Sequence, residues 1–411
     1  MAIELNITPT LIIMEGSTAG KIGYRIKKQI IENYGELPVV RFLWVDTDVN
    51  IPEGAENWFS QRERSELVGY NANVVLQHLD DYPTIKSWWP RDANVTAGRI
   101  SQGAAQQMRL IGRLSLFRQF DESVNGQQSF RSSLQQAAES IHEIENIAAT
   151  REMSNEEIKF DVNQNATRVI FIFSTCGGTG SAISFDIAYL CRYLLRGHFP
   201  KLMAFSILPP VIDKEIRDES TLQRQKIRAN TYAWFKEDQY LIENPNWYVK
   251  YPSLAPLEVA SLPFDAHFVI DLINEGNNRL NSAEDIYKMV SQSIFLDTGT
   301  AIADENSSFL TNVGVLDNYF KDRRQAYSSI ASASLVFPAK RLLNYCGYKF
   351  SNEMIKKGVL GDPDPEMVEN YANSTLAELD LGEDSLIRAL KEGRGIQLLK
   401  KPAIRKSETV K

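Results

Sequence analysis

Two segments of this 411-residue chain combine glycines with other small residues in a way that could bind phosphate. The first, 16–23, has the sequence GSTAGKIG, and the second, 174–182, has the sequence STCGGTGSA. Each follows an apolar run and precedes a helical pattern. Small residues at such a junction let backbone N–H groups and the N-terminus of a helix approach an anion closely. Both segments therefore predict phosphate contacts at the carboxyl end of a strand.

The first segment departs from the Walker A motif, which places four residues between its glycines and a Ser or Thr after the Lys. Here three residues separate Gly16 from Gly20, and Ile22 follows Lys21. A Mg²⁺ ion would therefore lack the hydroxyl ligand that this motif supplies. The sequence does not support a Walker A site.

A dinucleotide-binding site remains open on the first 50 residues alone. The fingerprint G-x-G-x-x-G lacks its second glycine, because that position is Thr18, but Asp46 and Asp48 follow the next apolar run, where a ribose-binding acid would lie. An NAD-type oxidoreductase also needs a hydride-transfer site, for which no His or Tyr/Lys arrangement has suitable spacing. It does not need a second glycine-rich segment. A site that wraps one triphosphate between two loops does need a second glycine-rich segment, and Thr179 and Ser181 would add hydroxyl donors to it.

The apolar runs and helical patterns around these segments predict the elements that position them. The runs are continuous rather than alternating, which is typical of strands buried on both faces in a parallel sheet covered by helices. Their alternation with helical patterns predicts an α/β fold with a Rossmann-like, doubly wound and mostly parallel sheet. The predicted strands are 10–14, 39–45, 168–173, 201–208 and 266–273, and the predicted helices include 22–34, 104–120, 129–149, 182–195 and 282–295.

Composition and charge argue against several other classes of protein. The net charge of −7 and the lack of a basic face in the first 330 residues give no sign of nucleic-acid binding, and no apolar run reaches the roughly 20 residues that cross a bilayer. The N-terminus lacks the basic region of a signal peptide and predicts a first strand. The three cysteines and four histidines are scattered, so we expect neither disulfides nor a zinc site. We expect a cytoplasmic protein.

The second glycine-rich segment is similar to a family signature. CGGTGSA at 176–182 resembles the GGGTGSG and GGGTGTG sequences of the tubulin and FtsZ superfamily, and GSTAGKIG at 16–23 resembles the tubulin sequence GQCGNQIG. The resemblance covers about residues 10–320 and extends to the large bacterial tubulin-like proteins. It implies a guanine nucleotide, GTP or GDP, whose phosphates contact Gly16, Ser17, Thr18, Ala19, Gly20, Lys21, Cys176, Gly177, Gly178, Thr179, Gly180 and Ser181.

Looser similarities imply further contacts near the phosphates. VDTD at 45–48 resembles the tubulin sequence VDLE, which implies that Asp48 lies near Mg²⁺ through water, with Asp46 as a structural residue of the strand end. GAAQQ at 103–107 resembles the GAGNN loop that closes on the γ-phosphate. It implies contacts from Gly103, Ala104, Ala105 and Gln106. The alternative for 45–48 is a solvated strand end, and the alternative for 103–107 is an ordinary helix start.

The resemblance also implies residues that contact the base. VIDLIN at 269–274 is similar to a family strand that ends in a nucleotide-contacting Asn, here Asn274, and 281–294 resembles the FtsZ core helix, whose Asp is Asp285 here. A carboxylate accepts hydrogen bonds from guanine N1–H and N2–H₂ together, and adenine lacks this donor pair, so Asp285 would favour GTP over ATP. Arg228 is placed near the phosphates or the ribose. An exposed helix acid remains the alternative for Asp285.

Hydrolysis in this family uses acids of the neighbouring subunit, in an N-x-D-x-x-D/E loop after the core helix. Residues 312–317 are NVGVLD, so Asn312 and Asp317 match, whereas Gly314 replaces the middle Asp. A carboxylate that orients or deprotonates the attacking water is what phosphoryl transfer requires. The resemblance therefore implies catalysis by Asn312 and Asp317 across a subunit interface, and Gly314 leaves open whether the chain is an effective GTPase.

The resemblance divides the chain into three parts. These are a nucleotide-binding domain at 1–280 with a long insert at about 49–165, a core helix and catalytic loop at 281–321, and a partial second α/β domain with a charged tail at 322–411. The last part is too short for a complete second domain, which would fit a chain that is the N-terminal part of a longer protein. The implied function is a head-to-tail homopolymer that binds GTP and Mg²⁺ and hydrolyses GTP between subunits. The alternative is a non-polymerising GTP-binding scaffold or sensor with little hydrolysis.

Overall fold

A computed structural model gives the fold of this chain. It describes residues 2–68, 70–90, 105, 107–123, 128–216, 221–273, 279–300, 327–330, 332, 339–359, 364–378 and 387–388. The chain forms two compact units, Met1–Ala333 and Ser334–Lys411.

A parallel sheet is the main feature of the first unit. The strands are β1 (Ile3–Ile7), β2 (Thr10–Glu15), β3 (Val40–Asp46), β4 (Arg64–Glu66), β5 (Ile158–Val162), β6 (Arg168–Ser174), β7 (Lys201–Ile207), β8 (Trp247–Val249), β9 (Leu257–Val259), β10 (Ala266–Ile270) and β11 (Tyr327–Ser328). Seven of them form one sheet in the order β11-β10-β7-β6-β2-β3-β4, and every neighbouring pair is parallel. The strands β8 and β9 form a separate antiparallel pair.

The strand order reverses between β2 and β6. From β2 the chain adds β3 and β4 on one side, and later it adds β6, β7, β10 and β11 on the other. Ligands of open α/β sheets bind outside the carboxyl ends of the strands at such a switch point. Both glycine-rich segments begin there, because Gly16 follows β2 and Thr175 follows β6.

Helices cover both faces of this sheet. They are α1 (Ser17–Tyr34), α2 (Ala72–Gln77), α3 (Pro83–Lys86), α4 (Arg109–Arg118), α5 (Phe130–Ser140), α6 (Ile144–Glu152), α7 (Gly180–Leu194), α8 (Pro209–Ile212), α9 (Thr221–Glu243) and α10 (Ala283–Gly299). Alternate residues of β2 enter opposite cores, as the period of a strand requires. Leu11 and Ile13 pack with α4, α5, α7 and α9, whereas Ile12 and Met14 pack with α1 and α10. The predicted doubly wound α/β class is confirmed.

Three of the differences between the elements and the sequence prediction concern α1, the helices α5 and α6, and the N-terminal strands. The helix α1 begins at Ser17 rather than near Ile22, because Gly16 turns the chain directly from β2 into the helix. The predicted helix 129–149 is two helices, α5 and α6. The predicted strand 10–14 is β2, and an additional strand before it, β1, pairs in parallel with β5 outside the main sheet.

The long insert at 49–165 contributes to the main core. It contains β4, the helices α2 to α6, and β5. Its helix α4 packs against α7, and Arg113 of α4 forms a bidentate ion pair with the buried Asp186 of α7. The insert therefore supplies part of the cover on one face of the sheet.

The second unit contains two further helices, α11 (Ala339–Met354) and α12 (Pro365–Glu378). The rings of Phe350 and Tyr371 join them, with centroids 6.4 Å apart. None of the helices in the described part of the chain is both long and apolar enough to cross a membrane.

Candidate functional site

A cavity of about 420 Å³ lies at the carboxyl ends of β2, β3 and β6. Its volume is within the range of small-molecule sites, and it lies at the switch point of the sheet. Both glycine-rich segments line it, so two turns that are far apart in sequence meet around one space.

Two helices begin at this cavity, α1 at Ser17 and α7 at Gly180. Gly16 has φ +86°, a left-handed conformation that favours glycine. A Cβ on Gly16 would lie 3.7 Å from the backbone nitrogen of Gly180, so the two helix starts are close together. The free N–H groups and the partial positive charges of both N-termini therefore converge on one anion site.

A chain of hydroxyl groups connects three segments of the cavity wall. Thr47 Oγ1 lies 2.6 Å from Thr179 Oγ1, and Thr179 Oγ1 donates to Asp46 Oδ1 at 3.3 Å. The backbone N–H of Ala105 donates to Thr47 Oγ1 at 3.1 Å. Thr47 therefore ties the end of β3 both to the second glycine-rich segment and to the segment around Ala105.

Asn230 of α9 holds two of these segments together. Its Nδ2 donates to the carbonyl oxygens of Gln107 and Cys176, each at 2.9 Å. Gln107 lines the cavity with φ +63°, a conformation that residues other than glycine rarely adopt. Backbone strain of this kind is concentrated at ligand sites.

The segment around Ala105 also packs tightly on Gly178. A Cβ on Gly178 would lie 2.8 Å from Ala105 Cβ and 2.8 Å from the backbone nitrogen of Met108. Such a contact leaves no room for a side chain unless one of the two segments moves. The glycine therefore allows the loops on either side of the cavity to touch.

The described lining is acidic. It includes Glu15, Asp46 and Asp48 and no Lys or Arg. Burial raises the pKa of Glu15 well above its usual range, and the charge of Asp186 raises it further. Burial also raises the pKa of Asp46 to about 7, although hydrogen bonds from the backbone of Asp48 and Thr47 lower it. A carboxylate in this position is costly unless a cation lies beside it.

A magnesium ion fits this chemistry together with a phosphate. Asp46 Oδ2 and both carboxylate oxygens of Glu15 have no hydrogen-bond partner within the described stretches. Mg²⁺ is usually held by one or two carboxylates plus the phosphates of the substrate, with several waters retained. Asp46 and Asp48, two residues apart at the end of β3, are the groups that could hold it.

Ten of the residues predicted for the site line this cavity. They are Gly16, Ser17, Thr18, Asp48, Ala105, Cys176, Gly177, Gly178, Thr179 and Gly180. The predicted residues Gly103, Ala104, Gln106, Asn274, Asn312 and Asp317 lie outside the described residues.

Other predicted residues are described but do not belong to the described lining. Ala19, Gly20, Lys21 and Ser181 lie in the first turns of α1 and α7. Arg228 pairs with Asp213 at 2.6 Å. Asp285 accepts a hydrogen bond from Ser282 Oγ at 2.7 Å, as part of the cap of α10. Lys21, Arg228 and Asp285 are therefore not among the described lining residues, and their contacts to a nucleotide stay predictions.

Several residues that line the cavity were not predicted from the sequence. They are Glu15, Thr47, Gln107, Ser174, Ile212, Gln223 and Ile227. Glu15 and Thr47 had a signal, because each directly adjoins a predicted site segment and carries a polar side chain. Ile212, Gln223 and Ile227 had no signal in the sequence, because their position depends on how α8 and α9 pack over the sheet.

The family model described as "Tubulin like" matches residues 11–356, which is most of the chain and includes both glycine-rich segments. The chain belongs to the tubulin-like family. No curated protein matches it in sequence. Apart from Thr10 at the start of β2, the seven-stranded sheet, the two glycine-rich segments and α10 lie within the matched region of this tubulin-like chain.

Solved structures with a similar fold include CetZ from Methanosaeta thermophila strain DSM 6194, with 14% identity and a TM-score of 0.37 over 71% of this chain and 53% of that one. A GTPγS-form protofilament of Bacillus thuringiensis serovar israelensis TubZ has 11% identity and a TM-score of 0.34, over 71% and 56%. Clostridium botulinum phage c-st TubZ has 11% identity and a TM-score of 0.31, over 71% and 59%. The tubulin-like chain thus spans little more than half the length of each.

Proposed function

We propose that this tubulin-like chain binds a guanine nucleotide with Mg²⁺ in the cavity at the switch point of its sheet. One observation carries the proposal: the two glycine-rich segments, which begin α1 and α7, line the same cavity. The charge of a triphosphate extends over several groups, and two converging helix N-termini can contact more of them than one can.

Hydrogen-bond donors and acidic side chains have different roles in binding. Backbone N–H groups of Ser17 and Thr18 and of Gly177 to Gly180 donate to phosphate oxygens, and Thr179 adds its hydroxyl. Asp46 and Asp48 would hold Mg²⁺, with Asp48 acting through water. When bound, the cation offsets the negative charge that the phosphates and the cavity share.

Self-assembly is the second half of the proposal. The stretch 312–317 resembles the loop through which a neighbouring subunit supplies catalytic groups in this family, with Asn312 and Asp317 in the matching positions. One subunit then completes the site of the next, which is a head-to-tail contact. An interface of this type does not close on itself and produces a filament. Nucleotide binding would favour the contact, and hydrolysis would weaken it.

A GTP-binding scaffold or sensor that does not polymerise is the second candidate. Gly314 favours it, because glycine stands where the family loop carries an acid. A subunit without this acid could bind GTP and respond to it with little turnover.

The nucleotide that copurifies with the full chain tests the first half of the proposal. We expect GTP or GDP after denaturation and chromatography, and an adenine dinucleotide would overturn the assignment. Sedimentation with Mg²⁺ then tests the second half. We expect pelleting with GTP and not with GDP, whereas a chain that binds GTP and stays monomeric in both would support the scaffold.

A further inference from the structure

A second cavity, of about 920 Å³, lies beside the start of β3. None of its described lining residues belongs to the phosphate cavity. It reaches Phe42, which packs on the α1 face of the sheet, and also Arg41, whose side chain lies on the opposite face because side chains alternate along a strand. The cavity therefore runs past the edge of β3 rather than over one face. Its volume is near the upper end of the range of ligand sites.

The backbone of β3 has an unpaired edge at this cavity. β4 pairs only with residues 44–46 of β3, whereas β2 pairs with 40–45. Residues 40–43 therefore have β2 on one side and no described strand on the other. An edge of this kind is a template on which another extended chain can pair.

The directions of the hydrogen bonds along β3 identify the free groups. The carbonyl oxygens of Val39 and Val45 accept from backbone N–H groups at the two ends of β2, at 2.9 and 2.8 Å. The carbonyl oxygen of Asp46 accepts on the other side, from the residue after β4, at 2.7 Å. By the same alternation the N–H and C=O of Phe42 point away from β2. Within the described stretches neither has a hydrogen-bond partner on that side.

The charges that line the cavity differ between its interior and its rim. Nε of Arg41 is buried and has no hydrogen-bond partner in the described part of the chain. A buried cationic group of this kind is costly unless an acid lies beside it. At the rim the exposed lining residues are mainly acidic, with Glu36, Glu56 and Glu143 against Arg62. A complementary ligand therefore carries an acid at its centre and basic groups at its ends.

The two walls of the cavity also differ. The α1 side is apolar and aromatic, with Ile30, Ile31, Leu37, Trp58 and Phe59 in the lining. The one base on this wall, Lys27, is already neutralised, because its Nζ lies 2.6 Å from Glu63 Oε1. The α5 side is small and polar, with Ser133, Gln136, Ala137 and Ser140. An added strand would thus place alternate side chains against an apolar wall and against a polar wall that contains Arg41.

We propose that this cavity binds an extended peptide of a partner protein, which adds as a strand to the free edge of β3. Phe42 provides a backbone donor and a backbone acceptor for the added strand, as in other cases of strand addition. The peptide alternates apolar residues, which pack on the α1 wall, with an acid that pairs with Arg41, and it has basic residues at both ends for the acidic rim. The inference does not depend on the nucleotide site, so it stands whether or not the chain binds GTP.

Fluorescence anisotropy of a labelled synthetic peptide, titrated with the full chain, tests the inference. The probe is Lys-Val-Asp-Val-Lys with blocked ends, and we expect saturable binding. Lys-Val-Lys-Val-Lys places a base against Arg41 and should bind at least roughly tenfold more weakly. Val-Val-Asp-Lys-Lys keeps the composition, loses the alternation and should also bind weakly. No saturable binding of the probe, or equal binding of the three peptides, would overturn the inference.

Two variants of the chain separate a specific pair from general charge attraction. Arg41→Gln should lower the affinity for the probe roughly ten- to a hundredfold, the value of a hydrogen bond between charged groups. Arg62→Gln is the matched control, because it removes the same charge from an exposed position of the same cavity, and it should lower the affinity no more than about fivefold. Thermal unfolding of both variants checks that the fold is intact. Equal losses in the two variants would contradict the pairing with Arg41.

Methylation of the peptide amides tests the backbone pairing. Alternate N–H groups of an added strand face β3, and the others face away from it. Of two probes methylated on the two alternate sets of amides, one should lose binding and the other should keep it. An equal effect of the two would rule out strand addition. If the natural occupant were a second copy of this chain, the chain would associate in sedimentation and the probe would dissociate it, which would overturn the assignment to a separate partner.

Discussion

Gly177 and Gly178 are neighbours in the second glycine-rich segment, yet a side chain would meet different surroundings at the two positions. At Gly177 the nearest atom to an added Cβ is the backbone nitrogen of Thr179, at 4.0 Å. At Gly178 the Cβ would lie 2.8 Å from Ala105 Cβ and 3.0 Å from the backbone nitrogen of Gln107. We expect Gly178→Ala to lower the free energy of unfolding by about 1–3 kcal/mol, because overpacking forces the loops apart. Nucleotide binding should weaken by roughly tenfold or more.

The matched control is Gly177→Ala, which should change stability by no more than about 0.5 kcal/mol. Thermal unfolding and nucleotide titration of the two variants side by side give the comparison. Equal effects of the two alanines would mean that the contact between the loops does not matter for the site.

At the residue scale, sequence could identify the glycine-rich segments because their composition is unusual and local. It could not show that Thr47 bridges them, because Thr47 Oγ1 reaches Thr179 across 132 positions of sequence. The role of Asn230 is hidden for the same reason: its partners Gln107 and Cys176 are far away in the chain. For Asp285 the family motif implies a base contact, which stays a prediction, and the structure adds that its carboxylate also accepts from Ser282 in the cap of α10.

A buried polar cluster joins α9 to the edge of the sheet, some distance along α9 from Asn230. Asp238 Oδ2 accepts from the Tyr327 hydroxyl of β11 at 2.7 Å, and His267 of β10 lies 3.9 Å from the same oxygen. Burial raises the pKa of Asp238 to about 6, although the hydrogen bond from Tyr327 lowers it. Burial lowers the pKa of His267 to about 3. These groups help to hold β11 at the edge of the sheet, because backbone pairing over two residues is weak.

Asp238 should make the protein less stable as the pH rises. Below about pH 4 the acid is protonated in both the folded and the unfolded state. Above that, the unfolded chain releases the proton first, so stability is lost up to and through a pH of about 6. For a shift of roughly two units this amounts to about 3 kcal/mol. Asp238→Asn should remove this loss, so the unfolding free energy of the variant relative to wild type should increase between pH 4 and 7.

Chemical denaturation at a series of pH values measures this difference. His267 acts in the opposite direction, because its stabilising effect is lost as the pH falls below about 6.5, but both proteins retain it and it cancels in the comparison. Tyr327→Phe removes the hydrogen bond that lowers the pKa, so its loss of stability should extend to higher pH. Parallel profiles for wild type and Asp238→Asn would contradict the assignment.

At the element scale, five strands of the main sheet could be predicted because each is a continuous apolar run, and four of them, β2, β3, β6 and β7, are buried on both faces. The short strands β4 and β11 could not, because Arg64–Glu66 and Tyr327–Ser328 carry no apolar run and pair only through tertiary contacts. The sequence IELNI of β1 is half-buried, and its partner β5 lies far along the chain. The start of α1 was misplaced because small residues suit a loop and the first turn of a helix equally.

At the scale of the whole molecule, the proposed filament makes catalysis depend on a second copy of the chain. If Asp317 acts in the site of the neighbour, turnover per subunit should rise with protein concentration, because only assembled subunits have a complete site. Asp317→Ala should retain GTP binding and lose roughly a hundredfold or more of its turnover, the usual contribution of a positioned acid or base. Glu305→Ala, which removes an acid upstream of the motif, is the control and should keep full activity.

Mixing two impaired variants, at a GTP concentration too low to saturate Gly178→Ala, gives the sharpest test of catalysis across an interface. Asp317→Ala has an intact binding cavity and lacks the acid, whereas Gly178→Ala has the acid and a disturbed cavity. Where the two alternate in a filament, the cavity of the first meets Asp317 of the second, so a mixture should regain part of the turnover that neither has alone. A subunit that supplied its own acid would gain nothing from mixing, and its rate per subunit would not change with concentration. That result would contradict the head-to-tail proposal, because the physical reason for contact between subunits would then be missing.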